Sequence, residues 1–393
     1  MNRTLTGLVA LAIAATTALT ACGTESTAPT GGGEAAGAGD PRSLTVESSD
    51  DACEVSAAEA PAGVLTFDVT NTGSQVTEFY LLDDDGLGIV AEIENVGPGA
   101  TAKLTVNAAA GTYRTACKPG MVGDGIQSDF TVEESDEQVQ VADAALVEQA
   151  ESGYAAYVED QSAQLLAKTR EFTELYKAGD DDAARALYPE ARTHWERIET
   201  VAESFGDLDP LMDAREADVP AGEEWTGWHR IEKDLWPARA VDYTPLTTAE
   251  RARYADDLLA NTEELDSRVQ GLSYTVDSIA NGSRGLLEEV ATGKVTGEEE
   301  YWSRTDLWDF QANVDGARVA YEGVAPVVEQ KDAELAARLN ERFAALQTLL
   351  DEQRQGDGFV TYDQLSTAEV KQLSDAVNAL SEPLGNLTAA VLS

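Results

Sequence analysis

Histidine is nearly missing from this sequence: His194 and His229 are the only two among 393 residues, and neither lies in the N-terminal third. A blue-copper centre needs two histidines and a cysteine, so that kind of electron-transfer site is excluded there. Basic residues are also few, 27 against 72 acidic ones, which leaves a net charge of −45. A chain that binds nucleic acid needs a basic face for the phosphates, so no nucleic acid is expected as a partner. No glycine-rich phosphate loop follows a strand, since Gly31-Gly32-Gly33 lies in a low-complexity stretch. Gly-x-Ser-x-Gly, a Ser/His/Asp set and His-Glu-x-x-His are all absent, and with them the main nucleophilic and zinc-protease signatures. We therefore expect a protein that is not an enzyme.

What is present begins at the N-terminus. Met1-Asn2-Arg3 precedes an Ala/Leu/Val-rich run from Leu5 to Thr20, which reads as an export signal and is too short for a spanning helix. Leu19-Thr20-Ala21-Cys22 resembles a bacterial lipobox, so residues 1–21 are expected to be removed and Cys22 to carry lipid. Gly23 to Asp40 has almost no large apolar side chain and cannot offset its chain entropy by burial. Residues 22–42 thus read as a tether holding an extracytoplasmic lipoprotein to the cell membrane. Cys53 and Cys117 remain as a pair. In an exported protein they suit a disulfide; the other reading is a copper site built from Cys53, Glu78, Cys117 and Met121.

Between residues 43 and 134 the hydrophobic period is two. Leu65-Thr66-Phe67-Asp68-Val69-Thr70 alternates and stops at Asn71-Thr72-Gly73, and similar short runs surround Phe79-Tyr80-Leu81, Ile89-Val90, Leu104-Thr105-Val106 and Phe130-Thr131-Val132. Six or seven such strands predict a small β-sandwich. From residue 135 to 393 the period becomes helical, with Tyr154, Tyr157, Val158, Leu165 and Leu166 in one stretch and Leu335, Leu339, Phe343, Leu346 and Leu350 in another. Thr247 with Glu250 and Ser366 with Glu369 have capping-box spacing at helix starts. The predicted class is a β-sandwich followed by a helical bundle, large enough for two packed four-helix units.

His229 lies in Gly227-Trp228-His229-Arg230-Ile231-Glu232. On a helix, residues three apart sit about 60° apart around the axis, so His229 and Glu232 share a face suited to one metal ion. The spacing is like half of the Glu-x-x-His ligand sets of di-iron bundles, in reverse order. Trp225, Trp228 and Trp236 favour a buried setting, where an unpaired carboxylate is costly. A second acidic block runs from Glu298 to Phe310. Within it Asp306 and Asp309 lie amid Trp302, Leu307, Trp308 and Phe310, and need a partner: Arg304, Arg318, a helix N-terminus, or a metal shared with His229. In a third block Glu196, Glu199 and Glu203 form a stripe that either faces water or supplies a ligand, Glu199 being the preferred one. Carboxylates with one imidazole suit iron, manganese or zinc.

Two sets of three blocks then resemble a known family, the EfeO component of EfeUOB iron transporters. The β-part blocks are Val76-Thr77-Glu78-Phe79, Glu92 to Gly99, and Gly111 to Met121, similar to its cupredoxin-like domain. Arg197-Ile198-Glu199 to Asp209, Gly227 to Glu232, and Thr305 to Gly316 resemble its imelysin-like domain. The resemblance implies an iron-binding protein (Fe²⁺ or Fe³⁺, with copper or zinc as further candidates). It also implies two partners outside the cytoplasm, an EfeU-like iron permease and an EfeB-like haem peroxidase. It maps the family's His-x-x-Glu metal motif onto His229 and Glu232, with Glu199, Asp306 and Asp309 as added ligands. Arg304 is a departure, since related sequences commonly carry histidine there. The rival readings are an imelysin-type metallopeptidase and a binding module for a partner protein or an acidic polysaccharide.

Overall fold

Nine strands come first along the chain. They are β1 (Ser43–Ser48), β2 (Cys53–Val55), β3 (Glu59–Pro61), β4 (Gly63–Asn71), β5 (Thr77–Leu82), β6 (Ile89–Val96), β7 (Thr101–Ala108), β8 (Gly111–Cys117) and β9 (Ile126–Glu133). The structure is a computed structural model that describes residues 40–135, 144–219 and 222–393; the export signal and Cys22 lie outside them. The strands form two sheets, ordered β2-β1-β4-β7 and β3-β9-β8-β5-β6. Every second residue of β4 is buried, as its alternation requires. Phe67 meets Phe79 and Phe130 at centroid distances of 5.2 and 5.7 Å to fill the space between the sheets. The count exceeds expectation because β2 and β3 are three residues long, too short to show a period. Strand β5 is buried on both faces, with Phe79 and Leu81 in the sandwich core and Tyr80 and Leu82 packed with Ala116.

The helices follow: α1 (Ala144–Ala178), α2 (Asp181–Glu196), α3 (Glu199–Glu203), α4 (Asp209–Met212), α5 (Gly227–Leu235), α6 (Thr248–Val269), α7 (Val276–Thr292), α8 (Asp306–Lys331), α9 (Ala333–Glu352), α10 (Thr367–Leu384) and α11 (Leu387–Leu392). Both expected capping boxes are formed, at the starts of α6 and α10. Helices α7 to α10 close into a ring of four, while α1 packs against α2, α6 and α8, so α8 serves both groups. The acidic stripe of residues 196–203 is not one helix. The chain breaks between α2 and α3, where Ile198 takes φ −131°. Among the described residues no helix is long and apolar enough to cross a membrane.

The sandwich rests on α7 and on the turn after α3. Asp277 accepts the Asn107 N–H at 2.9 Å, Arg284 donates to the Glu92 carbonyl at 2.6 Å, and the Ile89 N–H donates to the Ser204 carbonyl at 2.8 Å. Strand and helix backbones are thereby tied through groups that would otherwise be left unpaired at a buried seam.

Candidate metal centre

Helix α5 begins where only glycine fits. Gly227 has φ +83°, and a Cβ there would stand 2.1 Å from the Met212 carbonyl at the end of α4. From that start Trp228 points into Phe172 and Tyr188, with centroids 5.2 and 5.9 Å away. The helical period puts His229 and Glu232 on one face, about 60° apart and beside Trp228, both wholly buried.

His229 stands among carboxylates. Its Nδ1 is 3.5 Å from Glu232 Oε2 and 3.8 Å from Glu300 Oε1. Its Nε2 is 3.3 Å from Glu299 Oε1 and 3.4 Å from Asp213 Oδ1. Two groups of three side chains here, Asp213/His229/Glu299 and His229/Glu232/Glu300, can each turn a donor atom to one point. The loop before α8 holds Glu232 in place, since the N–H groups of Trp302 and Ser303 donate to Oε1 at 2.8 and 2.5 Å. Oε2 of Glu232 is buried without a hydrogen bond. Glu300 accepts from Tyr188 at 3.1 Å and from the Ser303 hydroxyl at 2.7 Å.

Two buried cations lie beside this group. Arg192 pairs with Asp213, with Glu196 and, at 2.7 Å, with Glu300. Lys294 lies 2.7 Å from Glu199 and 2.8 Å from Glu196. Trp195 donates its indole N–H to Asp213 at 2.8 Å. Against Arg192 and Lys294 stand the buried carboxylates Glu196, Glu199, Asp213, Glu299, Glu300 and Asp309, with Glu232 and Asp306 buried close by. Even with His229 protonated, the carboxylates outnumber the cations, and burying uncompensated charge of one sign is strongly unfavourable.

That imbalance is visible in the acidities. Burial and repulsion from Glu232 push the Glu300 carboxyl well above its ordinary range, and burial does the same to Asp309 against the pull of Arg192. Burial also pushes Asp306 up to about 7. Asp213 goes the other way: burial raises it, but Arg192 and His229 outweigh that and hold it low. Burial likewise opposes ionisation of Glu299, yet Lys294 and His229 keep it ionised. The centre therefore offers fixed anions at Asp213 and Glu299, and protonated carboxyls that a cation can displace from their protons.

Of the residues singled out in the sequence, His229 and Glu232 come together. Glu199 joins the same cluster on its Lys294 side, where Asn313 also donates to it at 2.9 Å. Asp306 and Asp309 occupy the first turn of α8. Asp306 Oδ1 accepts the Glu300 N–H at 3.0 Å, and both oxygens of Asp309 lack a hydrogen bond, with Arg192 Nε at 3.5 Å. The nearby cation is thus Arg192 and not Arg304 or Arg318. Arg304 lies over Tyr301, 4.7 Å from its ring centre, and Arg318 bonds the Phe343 carbonyl. Asp213, Glu299, Glu300, Arg192 and Lys294 escaped selection. Arg192 carried a signal, because it falls on the arc of α2 that buries Tyr188, Ala191 and Trp195; Asp213, at the end of a four-residue helix, carried none.

In the sandwich, Cys53 and Cys117 form a disulfide that joins the two sheets. Neither sulfur is then a thiolate ligand. Glu78 is buried and accepts the Tyr80 hydroxyl at 2.6 Å, while Met121 is exposed on the turn beyond β8.

The sequence matches the imelysin family over residues 150–387 and the cupredoxin-like domain over residues 9–132. It is 37% identical over 341 residues to the iron uptake system component EfeO of Yersinia pseudotuberculosis, covering 86% of this chain and 88% of that protein. To the iron uptake system component EfeO of Escherichia coli strain K12 it is 36% identical over 356 residues, covering 90% and 92%.

Proposed function

Since the chain belongs to the EfeO family of iron uptake system components, we propose that it captures iron outside the cytoplasm and delivers it to a membrane permease. The observation that carries this reading is the convergence of Asp213, Glu232, Glu299 and Glu300 on the two nitrogens of the wholly buried His229, within 3.3–3.8 Å. Oxygen donors with one imidazole suit iron, and the surplus of buried carboxylates supplies the driving force for taking up a cation. Iron is the cargo, held by His229 through one ring nitrogen, with Glu232 and Glu300 as donors on the Nδ1 side or Asp213 and Glu299 on the Nε2 side. We extend the reading to a lipid anchor at Cys22, an EfeU-like permease and an EfeB-like haem peroxidase as partners.

Carriage is favoured over hydrolysis by burial. Each candidate ligand is less than a tenth exposed, which leaves no room for a peptide bond beside a metal bound there. Calorimetric titration of the metal-free mature chain with Fe²⁺ under anaerobic conditions tests this. Tight binding in the wild type, lost in His229→Ala/Glu232→Ala, is expected. Binding that survives the double substitution would move the site elsewhere.

A further inference from the structure

Resting on the reading that the buried centre takes up iron, we infer that Lys294 is a built-in cation filling the metal position next to the Asp213/His229/Glu299 group, so that no second ion shares Asp213. Glu196, Glu199 and Asp213 form a third group able to turn its oxygens to one point, and it shares Asp213 with the Asp213/His229/Glu299 group. Two cation positions joined by a common carboxylate are the layout of dinuclear sites in helical bundles, whose ions stand about 3.5–4 Å apart.

In this chain the second position is taken. The Lys294 ammonium donates to Glu199 at 2.7 and 3.0 Å and forms an ion pair with Glu196 at 2.8 Å. Its side chain is wholly buried and meets no solvent. Arg192 holds Asp213 and Glu196 from the other side, which leaves no carboxylate of this group unpaired. The short turn Lys294–Thr296 follows α7 after a single glycine, and the ammonium is held by its two carboxylate partners. Admitting a metal here requires the ammonium to give way, by losing its proton or by withdrawing the side chain. The outcome is an ion at His229 and its carboxylates with no coupled partner across Asp213.

The test is equilibrium dialysis of the full chain against Mn²⁺, a redox-silent stand-in, with bound metal counted for wild type, Lys294→Gln and Lys294→Arg. Lys294→Gln should bind one ion per chain more than wild type, and Lys294→Arg, which keeps the charge, the same as wild type. Equal metal content in wild type and a folded Lys294→Gln, checked by circular dichroism, overturns the inference. Should Lys294→Gln fail to fold, the Mn²⁺-saturated wild type decides by electron paramagnetic resonance: an isolated-ion spectrum is expected, and a spin-coupled pair overturns it. Wild type without metal but Lys294→Gln with one ion would sink the iron-carrier reading alone and leave Lys294 as the occupant of a cation site.

Discussion

At the scale of single residues, the centre depends on a glycine as much as on its ligands. A side chain at Gly227 meets the Met212 carbonyl at 2.1 Å and sits at φ +83°, so the clash is with backbone and cannot be relieved by a rotamer change. Either α4 or the first turn of α5 must move, and His229 is the third residue of that helix including the glycine. Gly227→Ala should cost about 1–3 kcal/mol of stability and weaken metal binding at least tenfold, read by thermal melting and by titration. A variant that melts early yet binds metal as tightly as wild type would show that the entry of α5 does not set the position of the imidazole. Arg192 illustrates the complementary case, a residue whose partners are all charged and all buried.

At the scale of elements, what was legible is what local chemistry alone decides. The alternation of β4 and the spacing of Leu335, Leu339, Phe343, Leu346 and Leu350 on α9 are burial patterns along one segment, and both are realised. The capping boxes are equally local. Ser366→Ala should lower stability by about 1 kcal/mol, measured by denaturant unfolding, and leave metal binding alone; no loss would mean that α10 is held by packing with α7 and α9 instead. The pair His229/Glu232 was legible for the same reason, being three residues apart on one helix. Asp213, Lys294, Glu299 and Glu300 were not, because they arrive from loops and short turns whose approach is fixed by tertiary packing. The break between α2 and α3 was hidden as well, since the acidic spacing continues across it while the backbone does not. The disulfide between β2 and β8 staples two sheets across a sequence separation of 64. Replacing both cysteines by serine should cost about 2–4 kcal/mol in the unfolding of the sandwich, while the metal stoichiometry of the helical part stays unchanged.

At the scale of the whole molecule, the seam between sandwich and helices gathers negative charge. A cavity of about 200 Å³ there is lined by Glu92 and Glu94 of β6 and by Glu203, Glu288 and Glu289 of the helical part. Burial, then repulsion from Glu78, Glu289 and Glu288, pushes the Glu92 carboxyl up to about 8. Glu94 and Glu203 are pushed the same way by burial and by Glu289. An unfolded chain would release the Glu92 proton near the ordinary glutamate range, so between about 4.5 and 8 the folded state binds more protons than the unfolded one. Stability from this group is therefore fully present below the unfolded value and is lost as pH rises through the folded one. Glu92→Gln removes the titration but keeps the Arg284 bond, which goes to the backbone carbonyl of residue 92. Relative to wild type, the variant should gain several degrees of melting temperature at pH 9 over its difference at pH 5, with each kcal/mol worth about 2–4 °C in a chain of this size. Parallel melting curves at both pH values would mean that the seam opens to solvent and that the two parts are not held together through β6.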